Sequence, residues 1–489
     1  MPGSSPSRLL DLGPGGNKDC TNADVRLSTV HSTGVPYVCA SHCWGGSKPL
    51  STTRSNFSDH QNRISWSSLP KTFRDIISFT RRLGYRYLWI DSLCIVQDDK
   101  EDWEKESATM CEVYHNAVLV IAAAAAASPD TGCLFRSLDH AWRGQVSHHL
   151  PTGETLNIYL RKVPFHNFVL WPLSKRAWAF QEQVLGQRVV FLGEVEAWWM
   201  CRVDNVCQCG YNELYIPRNK TTSSEDPRKL WKEWVSTYSG LELTMYSDKL
   251  PALSGLAKAI SSTAPHLGNY LAGLWQGDLH YGLGWSVVNP AGVGDPRVPS
   301  WSWAKTNSHV YFQPQTHDGD TRVKILEAQC VLKSVDPFGE VTSGFILVLS
   351  ALVPVNLFAR SCANANGDGN DRLEDFLIRA LDIKLPRKKY HRAHMDYWWT
   401  NSSQWVVERG DENLENAVEV IGRSTREILR NVSTFYALLL FRGFHNRDYL
   451  YLILKAVPGR IATYERIGCV FMDSICFEDD SCEAVLKII

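Results

Sequence analysis

The sequence lacks a surplus of either charge: 51 Lys and Arg stand against 52 Asp and Glu, a formal net charge of -1 over 489 residues. Nucleic acid and anionic membranes are recognised through a basic surplus, so both are set aside as partners and only a small or local anionic ligand fits. A long apolar run is missing too. The longest, Ala117 to Ala127, falls short of the about 20 residues that a membrane span requires. No basic segment followed by an apolar one opens the chain, so no secretory leader is read, and a cytoplasmic location with free thiols is expected. The sequons at Asn56, Asn219, Asn401 and Asn431 then carry no glycan.

Several chemical signatures are also absent. There is no G-x-G-x-x-G or P-loop to cradle phosphate, and no G-x-S-x-G elbow for a hydrolytic serine. Cys201, Cys207 and Cys209 are separated by five residues and by one, which does not give the paired C-x-x-C knuckles of structural zinc, so no metal site is read. What the chain does have is 44% hydrophobic residues, enough for two or three cores, and 18 Trp, as many as its Tyr or its Phe.

The first third alternates strand and helix signals. Tyr37 to His42 reads as a strand ending at Trp44-Gly45-Gly46. Pro70 opens a helix whose face is Phe73, Ile76, Ile77, Thr80 and Leu83, with Gly84 as its stop. Arg86 to Asp91 is the next strand. Asp98 and Asp99 cap a second helix carrying Trp103, Met110, Val113, Tyr114 and Ala117 at helical spacing. Val118 to Ala126 returns as a buried strand, and that order implies a parallel sheet with right-handed crossovers. A helix over Ser174 to Leu185 and a strand over Arg188 to Leu192 complete the unit. The organisation expected is a tail over 1–30, an α/β domain over 31–211, a polar linker over 212–230, and a mixed region over 231–489. In the last, Trp231 to Ala264 reads as mainly helical. Pro299 to Trp303, Val323 to Leu332, Phe345 to Leu349, Thr434 to Phe441, Tyr449 to Val457 and Ile461 to Met472 read as strands, and Ala363 to Asp371 as a loop.

Ligands of open parallel sheets bind beyond the carboxyl ends of the strands, near a switch in strand order. That rule selects Ser41, His42 and Trp44 after the first strand, and after the second Cys94 and Gln97 as ligand contacts with Asp91 as a candidate catalytic residue. The plainer account is that Asp91 caps a turn and that Ser41 and His42 satisfy the backbone. Neighbours on a strand face opposite ways, so His42 does not serve Ser41 or Cys43 as a base, and a hydrolytic triad is disfavoured. On the later helix, Trp178 and Glu182 are four apart and share a face, with Arg176 near its start. An aromatic platform beside a carboxylate suits a ribosylated or nicotinamide-like ligand, the carboxylate stabilising positive charge on a ribose. From spacing alone, an amphipathic helix with a core Trp and a solvated Glu is preferred.

Three segments together resemble the fungal heterokaryon incompatibility (HET) domain. They are YVCASHCWGG at Tyr37 to Gly46, GYRYLWIDSLCIVQDDKEDWEKESATMCEVYHNAVLVIAAA from Gly84, and PLSKRAWAFQEQVLGQRVVFLG from Pro172 to Gly193. YLAGLW at Tyr270 and RVPSWSWA at Arg297 look like the region that often follows such domains. The resemblance implies a cytosolic protein of fungal non-self recognition and regulated cell death. HET domains are in turn similar to TIR domains, flavodoxin-like α/β modules that self-associate and in some cases cleave NAD. The TIR catalytic glutamate has a Trp four residues before it, so the resemblance makes Glu182 the candidate catalytic residue and NAD a candidate substrate. A strand-rich α+β region follows. The partners implied are a second copy or another protein of the HET pathway. The alternative is a HET-derived tailoring enzyme or accessory protein of secondary metabolism, with an aromatic-lined pocket for a small molecule.

Overall fold

Short apolar runs buried on both faces, separated by amphipathic helices, set the architecture of the first part of the chain. The computed structural model describes residues 6–14, 22–30, 34–46, 49–134, 143–161, 168–210, 226–287, 294–312, 321, 323–362, 372–380, 391–395, 405–407, 427–431, 435–442, 449–472 and 483–489. Two compact units result. The first comprises Met1–Glu225, Leu241–Leu243 and Ala252–Leu256; the second comprises Asp226–Gly240, Thr244–Pro251 and Ala257–Ile489.

The elements of the first unit are β1 (Arg8–Asp11), β2 (Arg26–Thr29), β3 (Tyr37–Ser41), α1 (Phe57–Asn62), α2 (Lys71–Arg82), β4 (Tyr87–Trp89), α3 (Asp91–Cys94) and α4 (Lys100–Asn116). They continue with β5 (Leu119–Ala122), β6 (Arg143–His149), β7 (Thr155–Arg161), α5 (Ala177–Leu185), β8 (Arg188–Leu192), β9 (Ala197–Cys201) and β10 (Asn205–Cys207). An eight-stranded sheet runs in the order β10-β9-β8-β5-β3-β4-β1-β2. Its centre is parallel: β3 pairs with both β4 and β5, and β5 with β8, whereas β9, β10, β1 and β2 are added antiparallel at the edges. The strand order therefore switches between β3 and β5. All five residues of β3 and all four of β5 are buried, as a sheet covered on both faces requires.

The helices form as their sequence signals dictate. On α2, Phe73, Ile76, Ile77 and Thr80 are buried, Pro70 stands at the N-cap, and Gly84 follows with a φ of 84°. On α4, the Asp99 carboxylate accepts from the backbone of Glu101 and Asp102, and Met110, Val113 and Tyr114 face inward.

Several expectations are corrected. The tail over 1–30 contributes β1 and β2, whose Leu9, Leu10 and Leu27 are core residues. Arg86 to Asp91 is extended only over β4, because Asp91 already begins α3. The strand expected to reach Ala126 stops at Ala122; alanine has no branched side chain to hold a pleat, and the backbone turns with Ala126 bonded to Ala123. The helix over Ser174 to Leu185 is broken into a 3-10 turn, Pro172–Lys175, and α5, with Arg176 extended between them. The hairpin of β6 and β7 was unforeseen. A helix, Pro227–Ser239, begins inside the span read as linker, its Asp226 side chain capping it.

In the second unit, helix Pro227–Ser239 precedes a ten-stranded sheet built around the long strand Val341–Cys362, and the helix Pro251–Thr263 is divided, its Ala252–Leu256 stretch belonging to the first unit. Strands Lys324–Leu332, Phe435–Arg442, Tyr449–Ala456 and Thr463–Met472 bear out the strand-rich reading, while Ala363 to Asp371 lies outside the described residues. Pro299 to Trp303 is instead a turn leading into a 3-10 helix, Trp303–Lys305, because the Ser302 hydroxyl caps Ala304. The two later segments singled out in the sequence meet here: Trp303 and Trp231 both donate their indole N–H to the Gly273 carbonyl, at 2.8 and 2.9 Å. A Cβ on Gly273 would lie 2.4 Å from the Trp303 ring, and its φ is 97°, so only glycine fits.

Candidate functional site

Ser41, His42, Trp44 and Asp91 stand at or beside the carboxyl ends of β3 and β4, next to the switch in strand order. Ser41 ends β3 and is fully buried. His42, the next residue, turns to the opposite face, its ring meeting Phe73 of α2 edge-on at 4.9 Å. The alternation expected of a strand thus separates Ser41 from His42. Burial lowers the imidazole pKa, Asp91 opposing this and Arg176 adding to it, so at neutral pH the ring is mainly uncharged. The 3.7 Å approach of His42 Nδ1 to Asp91 Oδ1 is accordingly a dipolar contact rather than an ion pair. The buried His42 Nε2 has no hydrogen-bond partner among the described residues.

Asp91 is held from two sides. Its Oδ1 accepts from the Ser92 N–H at 2.7 Å, a local bond that does not cap α3, whose N-cap is Ile90, and its Oδ2 accepts from the Trp44 indole at 2.8 Å. Gln97 donates to the Asp91 and Ile95 carbonyls, which fastens the turn that presents Asp91. Cys94 belongs to the core. It is 1% exposed, and burial pushes its thiol up to about 12. Cys43 is likewise pushed up by burial, to about 11 despite Arg176, so neither thiol is a thiolate near neutrality and neither is an activated nucleophile.

Helix α5 supplies the other half. Its start is pinned where Ala177 N–H donates to the Glu242 carbonyl and Glu242 N–H donates to that of Lys175, and its Gln181 side-chain carbonyl accepts from Gly255 N–H at 2.7 Å. Arg176 is the extended residue before the helix, and its guanidinium donates to the His42 carbonyl. It is therefore bound to the end of β3 rather than placed in the first helical turn. Trp178 is half-buried and packs against the core. Glu182, one turn on, is only 5% exposed, which overturns the solvated glutamate of the plainer account.

The electrostatics converge on that carboxyl. Burial pushes Glu182 up to about 7, and the negative charge of Asp91 adds to the rise. Ser41, Arg176 and Tyr114 pull the other way. The Ser41 hydroxyl lies near enough to favour the ionised form, although it completes no hydrogen bond of ordinary geometry. Tyr114 on α4 was read in the sequence only as core. Its hydroxyl donates to the Ala40 carbonyl at 3.0 Å, which brings the phenol beside Glu182. No spacing in the sequence could reveal this, because it depends on how α4 packs against β3. A buried glutamic acid poised near neutrality, with a second carboxylate in its field, is equipped to exchange a proton or to stabilise a developing cation.

Among the described residues no helix is long and apolar enough to cross a membrane. The chain matches no curated protein and no solved structure. Residues 37–182, which begin at β3 and end on the buried glutamate itself, match the family model described as heterokaryon incompatibility protein (HET). The similarity to HET domains is thus confined to these residues of the first unit.

Proposed function

We propose that the HET domain of this chain is a TIR-like signalling module that self-associates and cleaves the nicotinamide–ribose bond of NAD, and that this activity drives cell death in non-self recognition. The observation that carries the reading is the Glu182 carboxyl, buried and raised to about 7 beside Asp91, with Trp178 one helical turn before it. The parallel strands β4, β3, β5 and β8 follow the 2-1-3-4 order of flavodoxin-like sheets, which supports the comparison with TIR domains.

The proposed chemistry needs little apparatus. The bond between ribose C1′ and the nicotinamide nitrogen breaks, its electron pair neutralises the pyridinium, and the ribosyl cation is held by ionised Glu182 until water adds and releases a proton. Trp44 and Trp178 are the aromatic surfaces for the departing ring. In this reading Arg176, bonded to the His42 carbonyl, and His42, whose buried Nε2 has no hydrogen-bond partner among the described residues, are assigned as ligand contacts.

The test is nicotinamide release from NAD by the purified full-length chain, compared with Glu182→Gln. A fall of about 100-fold or more is expected, the scale of losing a positioned acid–base or electrostatic group. Equal rates in the two proteins, both folded, would remove Glu182 from the reaction. Expression of the same pair in a fungal host, scored for growth and cellular NAD, connects the chemistry to cell death.

A further inference from the structure

The thiols set aside on spacing gain a third partner once the sheet is folded. β9 and β10 form the hairpin at one edge of the sheet, with β8 and β5 standing between it and β3. A tight turn precedes β9, where Gly193 N–H donates to the Glu196 carbonyl; a Cβ on Gly193 would lie 2.8 Å from that oxygen and 2.9 Å from the Trp171 ring. This turn carries Glu196 back over the end of β10. There Gln208 N–H donates to the Ala197 carbonyl, and Gly210 N–H closes a turn onto the Cys207 carbonyl. That second turn folds Cys209 against Cys207.

The result is a compact donor set. One carboxylate oxygen of Glu196 and the sulfurs of Cys207 and Cys209 all lie within 4.8 Å of one another. Cys207 donates its S–H to Glu196 Oε2 at 2.9 Å, and the backbone N–H of Cys209 is directed at the Cys207 sulfur. Such an N–H steadies a thiolate. Cys201 stands apart, at the opposite end of the hairpin, where its sulfur accepts from Asp204 N–H at 3.2 Å.

We propose that Glu196, Cys207 and Cys209 bind a zinc-class divalent ion, which clamps the β8–β9 turn to the end of β10. Two soft sulfurs and one carboxylate select zinc over magnesium or calcium, and donors this close match a tetrahedral ion with zinc–sulfur bonds of about 2.3 Å. Glu196 and Cys207 are buried while Cys209 is half-buried, so the fourth position faces the solvent side and takes water. Cys207 and Cys209 bind the ion as thiolates, so each thiol gives up its proton on binding. The clamp acts on an edge hairpin, the part of a sheet with fewest backbone partners.

The experiment uses the reduced, chelator-treated full-length chain titrated with cobalt(II). A thiolate-to-cobalt absorption band should saturate and be displaced by zinc. It should be lost in both Cys207→Ser and Cys209→Ser and kept in Cys201→Ser; Glu196→Gln should weaken cobalt affinity by roughly tenfold or more. Near-ultraviolet circular dichroism of this tryptophan-rich chain reports whether each variant is folded. A measurement on the unaltered chain removes the need for any variant: zinc should protect Cys207 and Cys209, but not Cys201, from alkylation mapped by mass spectrometry. Absence of the band, its survival in Cys207→Ser and Cys209→Ser, or equal alkylation with and without zinc would overturn the site and leave a thiol–carboxylate contact that only packs the hairpin.

Discussion

Two carboxyl groups of one sheet domain, each 5% exposed, have opposite fates. Asp11 on β1 receives two hydrogen bonds from Arg86, both 2.8 Å, two from Arg26 at 3.0 and 3.3 Å, and one from Gly13 N–H at 3.0 Å. Those donors, Arg86 foremost, hold it well below the usual carboxylate range. Glu182 has no cation of that kind among the described residues. Arg176, the one that acts on it, is engaged with the His42 carbonyl, and Asp91 adds repulsion. Surface exposure is the same, but Glu182 lies deeper, so burial lifts it first and Asp91 second, while at Asp11 the arginines outweigh a smaller cost of burial. Asp11 even lines an open cleft of about 300 Å³ with Asp24, Arg26, Arg63 and Arg86, but each of these arginines is bound to an aspartate, and the cleft is electrostatically closed. A charged cleft with matched charges is structure; a mismatched carboxyl at a strand switch is a candidate for chemistry.

The contrast can be broken in four ways, beginning with the largest effect. If ionised Glu182 does the work, nicotinamide release should rise with pH through about 7, and this limb should vanish in Glu182→Gln. A rate that falls over the same interval would assign the protonated acid instead.

Stability should show the same group with its sign reversed. The folded-state pKa of Glu182 lies above the usual 4.5, so folding favours its protonated form; that contribution is complete below about 4.5 and lost as pH rises to about 7. Glu182→Gln should therefore be more stable than the parent at pH 8 by up to about 3 kcal/mol and nearly equal at pH 4, as read by urea unfolding. A variant less stable at pH 8 would mean that the carboxylate is held by donors.

Asp11 makes the opposite case. Its pKa is depressed, so its stabilisation is present above about 4 and fades as the pH falls further. Asp11→Asn should cost about 2 kcal/mol at pH 7.5, a figure kept modest because Arg26 and Arg86 are about half exposed and screened by solvent. Its nicotinamide release, measured on the folded fraction, should match the parent.

The smallest effect belongs to Ser41→Ala. Loss of a hydroxyl that favours the ionised form should move the pH midpoint of Glu182 upward by less than about one unit. A downward move would detach Ser41 from the carboxyl.

Much of the first unit was legible because its signals are local. The buried runs at Tyr37 and Leu119, the face of α2 and the Asp99 cap all report backbone preference and burial within a few residues. The errors have local causes too. Arg176 sits in an extended residue between two short helices, and Leu9 and Leu10 belong to a strand too short to show a period. Of the candidate site, Asp91 and Ser41 could be named from strand ends, whereas helical spacing only put Glu182 on a face with Trp178 and the family resemblance singled it out. Tyr114, and the burial that lifts Glu182, could not.

By itself the sequence determined the alternation of strands and helices, the near-neutral surface, the missing nucleotide loops and the three segments that mark a HET domain. Each is a property of neighbouring residues or of composition. The tertiary structure decided which carboxyl is matched and which is not, because pKa follows from distance and desolvation between residues far apart in the chain, as Ser41, Asp91, Tyr114 and Glu182 are. It also brought Glu196 to Cys207 and Cys209, a grouping made by the turn at Gly193 and the pairing of β9 with β10, and no spacing rule for thiols contains it.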